Sequence, residues 1–502
     1  MRALLIPLAA AVLAAPAVAA DGARKPCRLP GLEHEAQCGT VQRPLDPAAP
    51  QGTQIDIHYA VLPALARNKK PDPVFFFAGG PGQSALDLAG HVSRLLARLG
   101  NRRDIVLVDQ RGTGRSAPLL CDPPGVVRPL RDGVDPARQL ELLRECRVRL
   151  QALPHGDLRR YTTTIAMQDT DAVRRALGAE RINLVGGSYG TRAVLEYMRQ
   201  FPQAVRRALM DGVAPPDMVL PASFEADAQT AFEALLAACA SEAACAARHP
   251  DLRAQWHAVL AALPREVTVT HPLTGGEERF MLTRAAAGAL ARAPLYAPAL
   301  ASALPHAVAE AAAGRYTALV GLASALRGGS LAMGMHFSVI CAEDVPGMSP
   351  LDRSKGEFRR AQPEGTPVSA GGEPPRAGLG SGLADLYTRG CADWPQGDVP
   401  SAFYTRPPAP AATLLLSGGL DPVTPPRHGE RVAQALGPKA RHVVVPNAGH
   451  GLLALACLRD AAFRFVDAET DALALQVDAD CARDIPRPPA FAPLAAATEP
   501  AR

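Results

Sequence analysis

The feature that most constrains this chain is a glycine–serine turn between a short apolar run and a helical segment. Residues 182–185 (INLV) have the pattern of a short buried strand, GGSYG follows at 186–190, and 191–199 has the spacing of a helix. Glycines on both sides of a serine let the backbone turn sharply and approach its neighbours closely. Gly-x-Ser-x-Gly between a strand and a helix is typical of a nucleophile elbow. We therefore predict that Ser188 is a nucleophile; a plain tight turn is the alternative.

Apolar runs alternate with helical segments towards both ends of the chain. Short runs predict strands at 54–65, 73–77, 104–108, 182–185, 207–210, 413–416 and 441–445. Helical spacing predicts helices at 163–177, 191–199, 429–436 and 453–466. Strands that alternate with helices form parallel sheets with both faces covered. We expect an α/β fold with a mostly parallel sheet.

This alternation stops between about 216 and 410. The first part is rich in Ala and Leu, predicts few strands, and has helical spacing at 223–247, 251–262, 283–290 and 297–313. The part from 345 onwards is rich in Pro and Gly and irregular. We predict a core in two parts, 21–215 and 411–484, separated by a mainly helical cap at 216–410, called the insertion below. Residues 485–502 are expected to be a surface or disordered tail.

A nucleophilic serine needs a base, and the base needs an acid that orients it. Behind a nucleophile elbow the chain order is serine, acid, histidine. Asp421 follows one predicted strand, in GGLDPVTP, and His450 follows the next, in NAGHG. Because parallel strands share one carboxyl edge, both loops should open where Ser188 emerges. We predict a triad of Ser188, Asp421 and His450. For each residue taken alone, the alternative is an Asp-Pro turn for Asp421 and a surface loop for His450.

His336, which precedes an apolar run, is expected to be a packed or capping residue.

AGGPG (78–82) follows the run 73–77 directly. Acyl transfer needs backbone N–H groups aimed at the developing oxyanion, and glycines let that backbone come near. We predict one donor at Tyr189, just after the nucleophile, and a second at Gly80. Pro81 has no N–H and cannot serve.

These motifs, together with DQRGTGRS at 109–116, resemble the proline iminopeptidase and tripeptidyl aminopeptidase family of α/β-hydrolases. The resemblance extends from about residue 70 to 455 and implies the α/β-hydrolase fold. It further implies a serine exopeptidase that releases short units from peptide amino termini through an acyl-enzyme. Ala78 departs from the family, which often has His before Gly-Gly-Pro-Gly. The role of the loop backbone as a donor is unaffected, but any contact that the His side chain makes in the family is lost here.

The resemblance also implies acids, from or near the insertion, that bind the substrate ammonium. A carboxylate is the natural partner of that cation. Glu343 and Asp344 are the first candidates, because they follow FSVICA, a strand-like apolar run that includes Cys341. Glu225 and Asp227 on the first predicted helix of the insertion are the alternatives. All four could instead be solvated surface acids.

Two other functions stay open. A carboxylesterase uses the same machinery, and a binding protein without activity can share the same fold. No metal or organic cofactor is implied. Residues 112–117 superficially fit a dinucleotide fingerprint, but the prolines at 118, 123 and 124 prevent the helix that the fingerprint must open.

Residues 1–20 have the pattern of an export signal. Arg2 supplies the positive start, and a short apolar stretch with two prolines leads to small residues and a cleavage site after Ala19 or Ala20. An uncleaved membrane anchor is the alternative. We predict cleavage and a mature protein in the periplasm or the medium, without membrane contact.

Ten cysteines fit that compartment, because an even number behind an export signal predicts disulfides. Spacing cannot fix the connectivity, but sequential pairing is the simplest arrangement, since each bridge then closes a local loop. Those pairs are Cys27–Cys38, Cys121–Cys146, Cys239–Cys245, Cys341–Cys391 and Cys457–Cys481. A zinc site is the rival interpretation, but the chain has neither Cys-x-x-Cys nor His-Glu-x-x-His.

The charge balance bears on partners. Lys plus Arg number 53 against 49 acids, a net charge of +4, which argues against nucleic acid or an anionic membrane as the main partner. We expect peptide substrates and a monomer.

Overall fold

The computed structural model describes residues 24–123, 125–325, 331–348, 378–379 and 382–493. The predicted signal peptide, part of the Pro- and Gly-rich stretch and the end of the tail lie outside these residues.

A nine-stranded sheet forms the centre of the protein, and a separate two-stranded hairpin lies in the insertion. The strands of the described residues are β1 (Lys25–Cys27), β2 (Ala36–Pro44), β3 (Gln54–Leu62), β4 (Val74–Phe77), β5 (Ile105–Val108), β6 (Ile182–Gly187), β7 (Val205–Asp211), β8 (Arg265–Thr270), β9 (Glu277–Leu282), β10 (Thr413–Gly418) and β11 (Ala440–Val445). The order across the sheet is β1-β2-β3-β5-β4-β6-β7-β10-β11. Neighbours from β5 to β11 run parallel, whereas β1, β2 and β3 form an antiparallel edge. The predicted mostly parallel sheet is confirmed.

Helices cover both faces of this sheet. Those of the core are α1 (Ala89–Leu95), α2 (Ala97–Gly100), α3 (Leu130–Val134), α4 (Pro136–Gln151), α5 (Thr163–Ala176), α6 (Tyr189–Gln200), α16 (Pro426–Leu436), α17 (Ala456–Asp467) and α18 (Asp471–Leu475); those of the insertion are α7 (Leu220–Ser241), α8 (Ala243–Arg248), α9 (Leu252–Ala261), α10 (Arg284–Arg292), α11 (Pro298–Ala301), α12 (Leu304–Ala312), α13 (Thr317–Ser324), α14 (Met333–Glu343) and α15 (Gly382–Cys391). Successive residues of a strand point to opposite faces, so Leu184 and Val185 of β6 belong to different hydrophobic clusters. Each face of the sheet is therefore covered by its own hydrophobic cluster.

The helices α7 to α13 have a hydrophobic cluster of their own, in which Phe232 packs edge-on against Trp256. The hairpin of β8 and β9 packs into the same cluster. The sequence analysis predicted few strands in the insertion and did not identify this hairpin. Its first strand alternates exposed and buried residues, and Gly275 in the turn has φ of +72°.

The strand-like interpretation of FSVICA is also wrong, because the segment lies within helix α14. Nearly the whole helix is buried, and a segment buried on all sides shows no periodicity that separates strand from helix. Phe337 and Ile340 join the cluster of the central sheet rather than that of α7 to α13. The end of the insertion is therefore anchored in the core.

All five sequential disulfides are present, and the described residues hold no free cysteine. The predicted pairing is confirmed. The bridge Cys341–Cys391 ties α14 to α15. Its two cysteines are 50 positions apart in sequence. In the described part of the chain, no helix is both long and apolar enough to cross a bilayer.

Candidate active site

Ser188 lies between β6 and α6 in a conformation that side chains rarely adopt. Its φ is 56° and its ψ is −126°, a strained combination that persists only where the surroundings enforce it. The glycines of the pentad are required by close approach: a Cβ on Gly190 would lie 2.1 Å from the carbonyl oxygen of Phe77. A Cβ on Gly186 would lie 2.5 Å from the carbonyl oxygen of Gly190. The turn is therefore a nucleophile elbow in its geometry.

The structure brings Asp421 and His450 together at the carboxyl ends of β10 and β11. The Nδ1–H of His450 donates to Oδ2 of Asp421 at 2.8 Å. Asp421 is fully buried, and its Oδ1 accepts from the N–H groups of Val423 and Thr424 at 2.9 Å each. The carboxylate is thus locked in place, and the bonded Nδ1 leaves Nε2 of His450 as the nitrogen for proton transfer.

The pair shifts both pKa values. Burial alone would lower the pKa of His450, but the carboxylate of Asp421 outweighs it and raises that pKa above its ordinary value. Burial alone would raise the pKa of Asp421, yet His450 and the hydrogen bonds from its own loop lower it. Asp421 therefore stays ionised and favours the imidazolium form of His450.

The glycine loop that follows β4 lies against the elbow. A Cβ on Gly79 would come within 3.2 Å of Cβ of Ser188. Gly80 has φ of +110°, a conformation that favours glycine. Among the described residues, the N–H groups of Gly80 and Tyr189 have no hydrogen-bond partner, whereas the N–H of Gly79 donates to Oε1 of Gln83. The two predicted oxyanion donors therefore have no partner within the described part of the protein.

Glu343 and Asp344 end helix α14 and are fully buried, which contradicts the surface alternative for these two acids. Asp344 accepts from both terminal nitrogens of Arg192, at 2.9 and 3.0 Å. Glu343 lies farther from this guanidinium, at 3.5 Å, and accepts instead from the N–H and hydroxyl of Thr163. The hydroxyl of Thr163 in turn accepts from that of Tyr189 at 2.6 Å. Glu343 is therefore joined to the elbow through one side chain.

The alternative acids differ in their surroundings. Asp227 pairs with Arg427 and with His428, which lies on α16. Glu225 accepts from the N–H of Ala384, and burial raises the pKa of Glu225 to about 7. Asp227 thus joins the insertion to the core, and Glu225 has no ion pair among the described side chains.

Two neighbours of the site escaped the sequence analysis. The hydroxyl of Thr424 donates to Asp421 at 2.7 Å and lies 3.1 Å from Nδ1 of His450. Asp211, at the end of β7, accepts from the N–H groups of Leu452 and Leu453 and so holds the segment after His450. Both follow predicted strands at the same sheet edge as the triad, which is the signal that could have identified them.

The motif DQRGTGRS supports the fold. Arg111 is fully buried and makes a two-pronged ion pair with Asp169 of α5. Asp109 accepts from Ser84 and from the N–H groups of Leu86 and Arg115, beside the glycine loop.

In the described ranges, no group of His, Cys, Asp and Glu side chains is arranged to hold a metal.

A parallel sheet with a strained serine turn and a histidine–carboxylate pair at the carboxyl ends of its strands is typical of the class of α/β-hydrolases. The sequence model described as "alpha/beta hydrolase fold" matches residues 72–455. The chain belongs to this family and is a hydrolase.

Relatives within the family carry several names. The chain is 35% identical over 201 residues to a tripeptidyl aminopeptidase of Streptomyces lividans, covering 37% of this chain and about a third (36%) of that protein. It is 27% identical over 427 residues to the serine protease Hip1 of Mycobacterium tuberculosis, covering 80% and 79% of the two chains. It is 29% identical over 230 residues to carboxylesterase B of M. tuberculosis, covering 42% and 43%.

Proposed function

We propose that the protein is an exported serine aminopeptidase that releases short units from peptide amino termini. The observation that carries the proposal is the placement of Ser188, His450 and Asp421 at one sheet edge, in a chain whose relatives include a tripeptidyl aminopeptidase and a serine protease. The large insertion supports an exopeptidase, because a cap over the cleft excludes internal peptide segments.

In this proposal Ser188 attacks the scissile carbonyl carbon while Nε2 of His450 takes the hydroxyl proton. The carbonyl oxygen becomes an oxyanion held by the N–H groups of Gly80 and Tyr189. The C–N bond then breaks, and His450 returns the proton to the leaving amine. A water molecule repeats the sequence on the acyl-enzyme and releases the acid. Asp421 orients His450 throughout and stabilises its charged form.

Glu343 is the proposed partner of the substrate ammonium. Burial raises its pKa to about 7 despite the nearby Arg192, because that guanidinium is committed to Asp344. A buried carboxylate that is incompletely compensated gains from a second cation. Since the side chain is fully covered in this fold, the ammonium reaches it only if neighbouring side chains move aside.

The deciding experiment compares p-nitroanilides of one, two and three residues, each with a free or an acetylated amino terminus. An aminopeptidase cleaves the free-amine series with a clear optimum in length and loses activity on acetylation. Equal turnover of both series, together with faster hydrolysis of p-nitrophenyl acetate, would instead identify a carboxylesterase. Labelling of Ser188 by a fluorophosphonate separates either enzyme from an inactive binding protein.

Export is supported by five disulfides, which persist in oxidising compartments. Mass spectrometry of the protein from the periplasm or medium should find an amino terminus at Ala20 or Asp21. A full-length chain retained in the cytoplasm would contradict this part of the proposal.

A further inference from the structure

The glycine loop of the candidate oxyanion hole is held by the insertion. Gln83 pairs with Leu331 as an isolated antiparallel bridge, and the N–H of Ala332 donates to the carbonyl of Gly82 at 2.9 Å. A Cβ on Gly82 would lie 2.9 Å from the carbonyl oxygen of Ala332, so the two backbones are in close contact. The loop that follows β4 therefore rests on residues far along the chain.

One side chain completes this support. His336 of α14 is buried, with Nδ1 2.9 Å from the carbonyl oxygen of Pro81 and Nε2 2.5 Å from the hydroxyl of Tyr387 on α15. Phe337 stacks on Tyr387 with ring centroids 5.1 Å apart, and the bridge Cys341–Cys391 ties the same two helices. His336 thus connects the glycine loop to a rigid part of the insertion.

We propose that His336 is a positioning residue, which sets the Gly80 N–H in the oxyanion hole by holding Pro81 to the insertion. This inference rests on the proposed roles of Ser188 and Gly80. It assigns to the insertion an effect on the rate of the chemical step, in addition to the exclusion of internal peptide segments.

The chemistry of the three groups fixes the roles of the ring nitrogens. The carbonyl of Pro81 can only accept, so Nδ1 of His336 carries the proton and donates it. Nε2 is then the acceptor for the hydroxyl of Tyr387. Burial lowers the pKa of His336 to about 4, so the ring stays neutral and keeps this tautomer at ordinary pH.

Two substitutions separate the two contacts. The amide nitrogen of asparagine is as many bonds from Cα as Nδ1 of histidine. The variant His336→Asn can therefore still donate to the carbonyl oxygen of Pro81. The side-chain oxygen of glutamine is as many bonds from Cα as Nε2 of histidine and can accept from Tyr387, so His336→Gln keeps only that contact. A residue that serves stability alone would tolerate the two changes equally.

The experiment measures kcat and KM for p-nitrophenyl acetate and for a free-amine peptide anilide, with the melting temperature of each variant. We expect His336→Gln to lower kcat about 30-fold on both substrates with little change in KM, against about threefold for His336→Asn, since losing one oxyanion donor outright costs 10²–10³. The Ki of a peptide aldehyde, whose hemiacetal oxygen occupies the oxyanion position, should rise in parallel with the fall in kcat.

Equal kcat values for the folded Asn and Gln variants would overturn the inference, and so would a loss confined to KM. The rate of Ser188 labelling by a fluorophosphonate gives the same comparison without any substrate. If the wild type hydrolyses the ester but no peptide, the aminopeptidase proposal fails while the test of His336 stands. If labelling and ester hydrolysis follow the order wild type, Asn, Gln, the inference holds for any acyl substrate.

Discussion

The two halves of the candidate site are built in different ways. Asp421 and His450 follow neighbouring strands of the sheet, and the hydrogen bonds to Asp421 come from its own loop and from His450. The glycine loop is held by Leu331, Ala332 and His336 of the insertion. The acid–base half is thus local to the sheet edge, whereas the oxyanion half depends on contacts that span about half the chain.

The separation is not complete, because the insertion also touches His450. The N–H of His450 donates to the carbonyl of Tyr296 at 2.8 Å, and the ring of Tyr296 packs edge-on against the imidazole. This hydrogen bond uses the backbone of Tyr296 and does not depend on its side chain. The comparison therefore predicts that side-chain changes in the insertion affect oxyanion stabilisation and substrate binding more than proton transfer.

The largest expected effect is that of Ser188→Ala, which removes the proposed nucleophile, on which both halves act. We expect kcat to fall by at least about three orders of magnitude with unchanged melting temperature, as for loss of a triad member. Active-site titration should exclude wild-type contamination. Turnover comparable to wild type would refute the triad.

Asp421→Asn tests the local half alone. We expect kcat to fall by about three to four orders of magnitude, because His450 loses its orienting carboxylate. The pH profile gives the second readout: in the proposed mechanism activity requires neutral His450, so it should fall as the pH drops through the raised pKa of His450. Without Asp421 the pKa of His450 falls, so the acid limb of the residual activity should move to lower pH. An unmoved limb would mean that another group titrates.

Glu343→Gln tests substrate binding by the insertion. We expect KM for free-amine peptides to rise about tenfold, with hydrolysis of a small acetate ester nearly unchanged. Since the pKa of Glu343 lies near 7, the wild-type KM for peptides should also rise as pH falls below that value.

Glu225→Gln is the matched comparison for that prediction, because Glu225 is the other acid with a pKa near 7. Its KM should stay within about twofold of wild type. A larger rise in KM for Glu225→Gln than for Glu343→Gln would instead assign the amine-binding role to Glu225 on α7. Equal losses on peptide and ester would remove Glu343 from that role.

The double change Cys341→Ala and Cys391→Ala is expected to affect stability more than rate. Removing this bridge should lower the free energy of unfolding by about 2–4 kcal/mol, because the unfolded chain is less constrained. The loss of kcat should be only a few-fold, since Phe337 and Tyr387 still pack together. Denaturant titration and ester kinetics measure the two effects. A large loss of kcat with intact stability would show that the bridge itself holds the glycine loop.

Much of the fold was predictable because its signals are local in sequence. A nucleophile elbow is five residues beside one strand and one helix, and Asp421 and His450 each follow a strand directly. The spacing of the cysteines left their connectivity open, but the simplest arrangement was right, because each bridge links sequential cysteines. The antiparallel edge of β1 to β3 and the hairpin in the insertion were not predicted as such, since pairing partners depend on contacts between segments.

The sequence by itself therefore determined the sheet edge and the residues that meet there, because the carboxyl ends of parallel strands bring short motifs together. Only the tertiary structure decided that FSVICA is helical and that Glu343 is buried beside the elbow. It alone placed His336 against Pro81, 255 positions away in sequence. A lone histidine before an apolar run has no local signal of such a partner, because burial and hydrogen-bond direction are set by whichever segments pack around it.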